Sequence, residues 1–199
     1  MAPQERREAL IQATIPLLCE HGPDVSTRQI AAAAGVAEGT IFGVFDNKNS
    51  LVVLSVIKGL DPQPTLDALA AIDRSTPLRE RMTIAAELVH ARFAEHVHLL
   101  AAVRKLIVAG ENPHEVRARM AANRERLQAA LAEVIEPDAA LLRRSPGSVA
   151  RLLLLFCGAN TYGPFGDPDS FSGAEAVSLL LDGLLIRQDD NDNRGQSAC

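Results

Sequence analysis

The sequence predicts an all-α fold of about nine helices: a small N-terminal head built on a helix-turn-helix, then a larger helical body. Three observations carry that expectation. Aromatic residues make up only 4% of the chain and Trp is absent, while Ala, Leu, Val, Arg and Glu dominate, a composition that suits helices better than strands. Helix start and stop signals recur along the whole length. No stretch alternates apolar and polar residues convincingly enough to read as a strand.

At 199 residues the chain suits one or two domains and can bury a core without a disulfide framework. Its net charge of −5 excludes a protein that holds nucleic acid by bulk positive charge. A small reading head survives that test, because groove readout needs only a few placed residues. The longest aliphatic block is Leu152–Cys157, too short to span a membrane, so no membrane partner is expected. The opening residues are polar and mixed in charge, unlike a signal peptide. Cys19, Cys157 and Cys199 form no metal or redox spacing. The expectation is a cytoplasmic protein with reduced thiols.

The first helix runs from about Gln4 to His21, with Leu10, Ile11, Thr14, Leu17 and Leu18 on one stripe; Pro16 should kink it or weaken a turn, and Gly22-Pro23 ends it. Ser26 and Gln29 form a capping box that opens a second helix, Thr27–Ala34, stopped by Gly35. A third helix is expected from Glu38 to Phe45, and a fourth from Lys48 to about Leu60 after the break at Asp46-Asn47. Asp61-Pro62-Gln63-Pro64 reads as a linker, followed by a short helix, Thr65–Ile72. Thr76-Pro77 starts a long helix reaching toward Gly110, bent or split near Glu95–Val97. Asn112-Pro113 opens the next, to about Ile135, and Ser145-Pro146 another, to about Tyr162. Ser172 and Glu175 form a second capping box for a last helix, to about Arg187. The domains expected are a head at 1–60, a body at 61–187 and a disordered tail at 188–199.

The stretch from Ser26 to Leu51 bears most directly on function. Ile30, Ala33, Ala34, Val36, Ile41 and Phe45 can form a small core, and Gly35 allows the turn a positive φ. Ala37, Glu38, Gly39, Thr40, Gly43 and Val44 are left to face outward. A helix with so thin an outer face can enter the major groove and meet base edges with its N-terminal residues. Thr27 and Arg28, where the second helix starts, would sit on phosphates.

These residues resemble the DNA-binding head of TetR/AcrR-type transcriptional regulators. The likeness rests on Leu10-Ile11 through Gly22, Ile30-Ala31, Ala34-Gly35-Val36, Gly39-Thr40-Ile41-Phe42, Phe45, Lys48 and Leu51, about a quarter of the chain. It implies a homeodomain-like head on a ligand-binding and dimerisation body. It implies DNA contacts from Thr27, Arg28, Ala37, Glu38, Gly39, Thr40, Phe42, Gly43 and Lys48. Phe42 stands where the family usually has a phosphate-binding Tyr, Gly43 where a longer polar side chain is common, and Val44 where His or Tyr is common. Phe42 then offers packing or a contact to a thymine methyl group. Glu38 can accept from a cytosine amino group or simply place favourable charge at a helix start.

Residues 1–55 hold four cations (Arg6, Arg7, Arg28 and Lys48) against six carboxylates, a net of −2, so moderate affinity and modest salt dependence are expected. In the body, Leu152–Phe156 are apolar almost all round, as are Leu179, Leu180, Leu181, Leu184 and Leu185. A helix apolar on two faces needs two partners, and a second copy of the chain supplies one. Leu152, Phe156, Leu180 and Leu184 are the expected dimer contacts, in a four-helix bundle made by the last two helices. Phe93, Val97, Met120, Phe156 and Asn160 are candidate ligand-lining residues, with ordinary core as the competing reading. His90, His96 and His98 lack the spacing that puts two His ligands on one helix face, and no metal or cofactor is expected. No nucleophile elbow, phosphate loop or dinucleotide loop is present, so no catalytic residue is assigned.

The resulting expectation is a regulator, acting as a repressor on a palindromic double-stranded operator and released by an unidentified small-molecule effector. The alternatives are a helical interaction protein with a degenerate head, or an α-helical enzyme.

Overall fold

A computed structural model describes residues 3–108, 113–161 and 172–184. The helices are α1 (Pro3–His21), α2 (Thr27–Ala34), α3 (Gly39–Phe42), α4 (Lys48–Gly59), α5 (Gln63–Ala70), α6 (Leu78–Glu95), α7 (Val97–Val108), α8 (Pro113–Ile135), α9 (Pro146–Thr161) and α10 (Gly173–Leu184). Short 3-10 segments follow α1 (Gly22–Asp24) and α8 (Glu136–Leu141). Among the described residues no helix is long and apolar enough to cross a membrane. The expected tail at 188–199 lies outside the described residues.

Both capping boxes form. Ser26 Oγ accepts from the Gln29 N–H at 3.2 Å while Gln29 Oε1 accepts from the Ser26 N–H at 2.8 Å. Ser172 and Glu175 make the same reciprocal pair at 3.2 and 2.8 Å. Such a cap stabilises a helix by about 1 kcal/mol. The split expected near Glu95–Val97 separates α6 from α7. Helix α1 passes through Pro16 unbroken, with Leu10, Thr14 and Leu18 buried on its inner face. One lost hydrogen bond there is outweighed by packing on either side.

The described chain forms two compact units. One contains the residues up to Pro62 together with Glu95–Arg124. Its core joins Leu10 and Leu18 of α1, Ile30 of α2, Ile41 of α3, Phe45, and Leu51 and Val56 of α4. Leu99, Val103 and Leu106 of α7 and Val116 of α8 complete it. Helices that the sequence reading placed in the body thus help bury the head's apolar surface. Gly59 marks a close approach within this unit: a Cβ there would lie 2.9 Å from Leu99 Cδ1 and 3.2 Å from Ile15 Cγ2. Polar ties add to this packing. Lys105 Nζ donates to both Asp24 carboxylate oxygens at 2.7 Å, and the buried Asn123 amide donates to the Leu60 carbonyl at 2.9 Å.

The other unit contains Gln63–Ala94 and the described residues from Glu125 onward. Its core is built from Leu69, Met82, Ala86, Val89, Leu131, Val134, Leu153, Val177 and Leu181, with neighbours. Arg81 is buried within it, 2% exposed. Its guanidinium donates to the Val134 carbonyl at 3.1 Å, to the Arg74 and Thr76 carbonyls, and to the Asp138 carboxylate. One side chain thereby closes the loop before α6 onto the C-terminal end of α8. Helices α9 and α10 pack together within this unit. Their outer faces leave Leu155 48%, Phe156 40% and Leu179 55% exposed. Of the expected dimer residues, Leu152 is half-buried, Phe156 is exposed, and the side chain of Leu184 lies outside the described residues. Leu180 does not face out: it is buried against the unit's own core, and its neighbour Leu179 takes the outer position.

Candidate nucleic-acid interface

The head presents a helix-turn-helix whose geometry follows from a few local interactions. Gly35 ends α2 at φ +66°. Its N–H donates to the Ala32 carbonyl at 3.2 Å, and the Val36 N–H reaches back to Ala31 at 3.0 Å, so the last carbonyls of α2 are satisfied. Helix α2 buries Ile30 and Ala31 with Ala34 half-buried. Ala33, expected in the core, is exposed because the inward stripe runs through Thr27, Ile30, Ala31 and Ala34 and passes it by.

Helix α3 is shorter than expected. It covers Gly39–Phe42, and the chain continues as a turn through Val44 rather than as helix to Phe45. The Val44 and Phe45 N–H groups both donate to the Ile41 carbonyl, at 3.0 and 2.8 Å, which tightens the exit. Val44, expected to face outward, is half-buried against the head core, drawn in by that turn. Phe45 is buried, and the Arg7 guanidinium lies 5.0 Å from the centre of its ring. Asn47 then caps α4, accepting from the Ser50 N–H at 2.8 Å.

The face left to solvent is narrow. Ala37, Glu38, Gly39, Phe42 and Gly43 are exposed and Thr40 is half-buried, with Phe42 at 55% the only large apolar group on it. Arg28 is exposed, while Thr27 and Lys48 are half-buried. Thr27 Oγ1 donates to Glu38 Oε1 at 2.5 Å, which ties the start of α2 to the turn before α3. The two residues lie eleven positions apart, so local sequence patterns do not reveal the bond. The hydrogen bond and charge of Lys105 hold the Asp24 carboxyl below its usual range, which favours its ionised form.

The candidate ligand residues are not gathered into one cluster. Phe93 packs against the core built around Met82, and Met120 against the core built around Leu10. Val97 is half-buried, Phe156 is exposed, and the side chain of Asn160 lies outside the described residues. Among the described residues no group of three or more His, Cys, Asp or Glu side chains is placed to hold a metal ion.

A slim two-helix reader on an all-α scaffold defines a helix-turn-helix DNA-binding protein. Residues 10–53 match the family model described as bacterial regulatory proteins, tetR family. Over those residues the chain is similar to the DNA-binding head of that family. Solved structures agree in fold. A TetR transcription regulator from Haloarcula marismortui is 21% identical with a TM-score of 0.68, over 92% of this chain and 100% of that one. A transcriptional regulator from Rhodococcus sp. Rha1 is 18% identical with a TM-score of 0.67, over 94% and 100%. A tetR-family regulator from Streptomyces coelicolor is 21% identical with a TM-score of 0.63, over 92% and 80%. No curated protein matches the sequence significantly.

Proposed function

We propose that the protein is a cytoplasmic, homodimeric repressor that binds a two-fold-related operator and is released when a small molecule binds the helical body. The observation that carries this reading is the outer face from Ala37 to Gly43, thin enough for the major groove, flanked by Arg28 and Lys48 for the phosphates. Thr40 adds a hydroxyl contact, and Thr27, its own hydroxyl held by Glu38, brings the start of α2 to the backbone. Residues 1–60 act as the DNA-binding domain and 61–187 as the regulatory body. The dimer contact uses Leu155 and Phe156 of α9 and Leu179 of α10, whose exposure in the single chain supports a covering partner, with the half-buried Leu152 beside them. An effector that prefers a body conformation with the wrong head spacing weakens DNA binding by its differential affinity for the two states. No catalytic step belongs to this reading.

Selection of bound duplexes from a random pool tests it. The expected product is a site with two inverted half-sites, about 10 base pairs or a multiple of that apart, centre to centre. A pool that enriches no sequence would instead favour an interaction protein with a silent head, which the net charge of −2 over residues 1–55 keeps in contention.

A further inference from the structure

We infer that Glu38 is a sequence filter, a fixed acceptor that rewards a cytosine amino group and penalises duplexes lacking a donor at that step. This rests on the DNA-binding reading above. Glu38 is exposed in the turn that leads into α3, on the face the head turns to DNA. One of its oxygens, Oε1, is held by the Thr27 hydroxyl at 2.5 Å, and no described residue bonds the other. The Thr27 bond limits how far the carboxylate can swing away from the reading face.

An ionised carboxylate only accepts hydrogen bonds. The DNA backbone offers phosphates, which repel it and carry no donor. Donors in the major groove are the N4 amino group of cytosine and the N6 amino group of adenine. Cytosine offers that donor alone, whereas adenine sets an N7 acceptor beside it, facing the negative charge. Glu38 is therefore best satisfied opposite cytosine. The same bond engages Thr27, so the hydroxyl that would reach a phosphate at the start of α2 is already committed in the free protein. The filter sets the geometry of both side chains before contact, which favours selectivity over affinity.

The test uses the full-length protein and its Glu38→Gln, Glu38→Ala and Thr27→Val variants, each put through selection from a random duplex pool and then titrated against the winning site and a scrambled duplex. Glu38 is exposed, so helical content and melting should be unchanged, and circular dichroism checks this. The wild type should demand cytosine at one symmetric pair of positions, by about fivefold or more over other bases, the lower end of a good base contact. Glu38→Ala should lose that preference and bind the scrambled duplex several-fold more tightly. Glu38→Gln should shift the preference to adenine, which an amide can engage through N6 and N7 together. Thr27→Val should blunt the cytosine preference while leaving the other positions intact. Unchanged profiles in Glu38→Ala, with unchanged scrambled binding, overturn the inference while leaving DNA binding standing. A wild type that selects no site overturns the DNA-binding reading itself.

Discussion

The salt dependence of operator binding follows from which cations the fold leaves available. In the head, Arg7 is engaged over the Phe45 ring, Lys58 pairs with Glu8 at 3.6 Å, and Arg6 has contacts of its own. Arg28 and Lys48 form no ion pair with a described residue and flank α3. In the proposed dimer they neutralise four phosphates, so the logarithm of affinity should fall against the logarithm of salt with a slope of about −3.6. Between 50 and 200 mM salt that is a loss of about 150-fold. Lys48→Ala removes two of the four contacts and should reduce the slope to about −1.8, a loss of about 12-fold over the same range. Arg28→Ala should do the same. Fluorescence anisotropy with a labelled operator reads both quantities. Neither substitution removes a buried contact of the head core, so lost binding cannot be ascribed to unfolding once melting curves agree. A wild-type slope beyond about −7, or slopes that neither variant changes, would refute the assignment of phosphate contacts.

Two further predictions concern the interior. Arg81→Met should destabilise the protein by about 3–5 kcal/mol in urea unfolding, because it strands the Asp138 carboxylate and three carbonyls that now share one guanidinium. The Cys157 thiol is pushed up to about 12 from its ordinary 9.0, first by burial and then by the nearby Glu87 charge. It should resist a disulfide reagent at pH 8 in the native protein and react once denatured. Its pKa is raised on folding, so its contribution to stability is complete below pH 9 and is lost as pH climbs toward 12. Melting temperatures across that range, for the wild type against Cys157→Ala, check the sign.

The head was legible because its signals are local. Ser26 with Gln29, Gly35, Asn47 and the small residues around Thr40 each act within four positions of themselves, and the helix starts they dictate are found at Thr27 and Lys48. The exceptions are tertiary. Val44 turns inward because the chain tightens on the Ile41 carbonyl, a choice no side-chain periodicity encodes. The contribution of α7 to the head core was invisible for the same reason. Leu99, Val103 and Leu106 read as an apolar stripe, and a stripe does not name its partner. Charge counting over residues 1–55 finds Arg7 but not its place over Phe45, 38 positions on, and it misses Lys105 on Asp24, 81 positions away.

The body shows the same limit at single-residue resolution, and a pair of variants turns it into a test. Leu179, Leu180 and Leu181 are consecutive, so composition alone cannot say which meets the subunit's own core and which meets a second copy. Packing decides: Leu180 and Leu181 are buried at 7% and 1%, while Leu179 stays 55% exposed. Leu179→Glu should therefore leave the subunit folded and convert the proposed dimer to monomers in sedimentation, because the unfavourable charge appears only when two outer faces meet. Leu180→Glu places the same carboxylate against Val177, Leu153 and their neighbours, and should lower unfolding stability by several kcal/mol or abolish folding. The two substitutions are chemically identical and one position apart, so only the direction of the side chain distinguishes them. If both variants remain dimeric and equally stable, α9 and α10 neither pack as described nor carry the subunit contact. If Leu179→Glu stays dimeric while Leu180→Glu unfolds, the fold stands and the second copy must bind elsewhere.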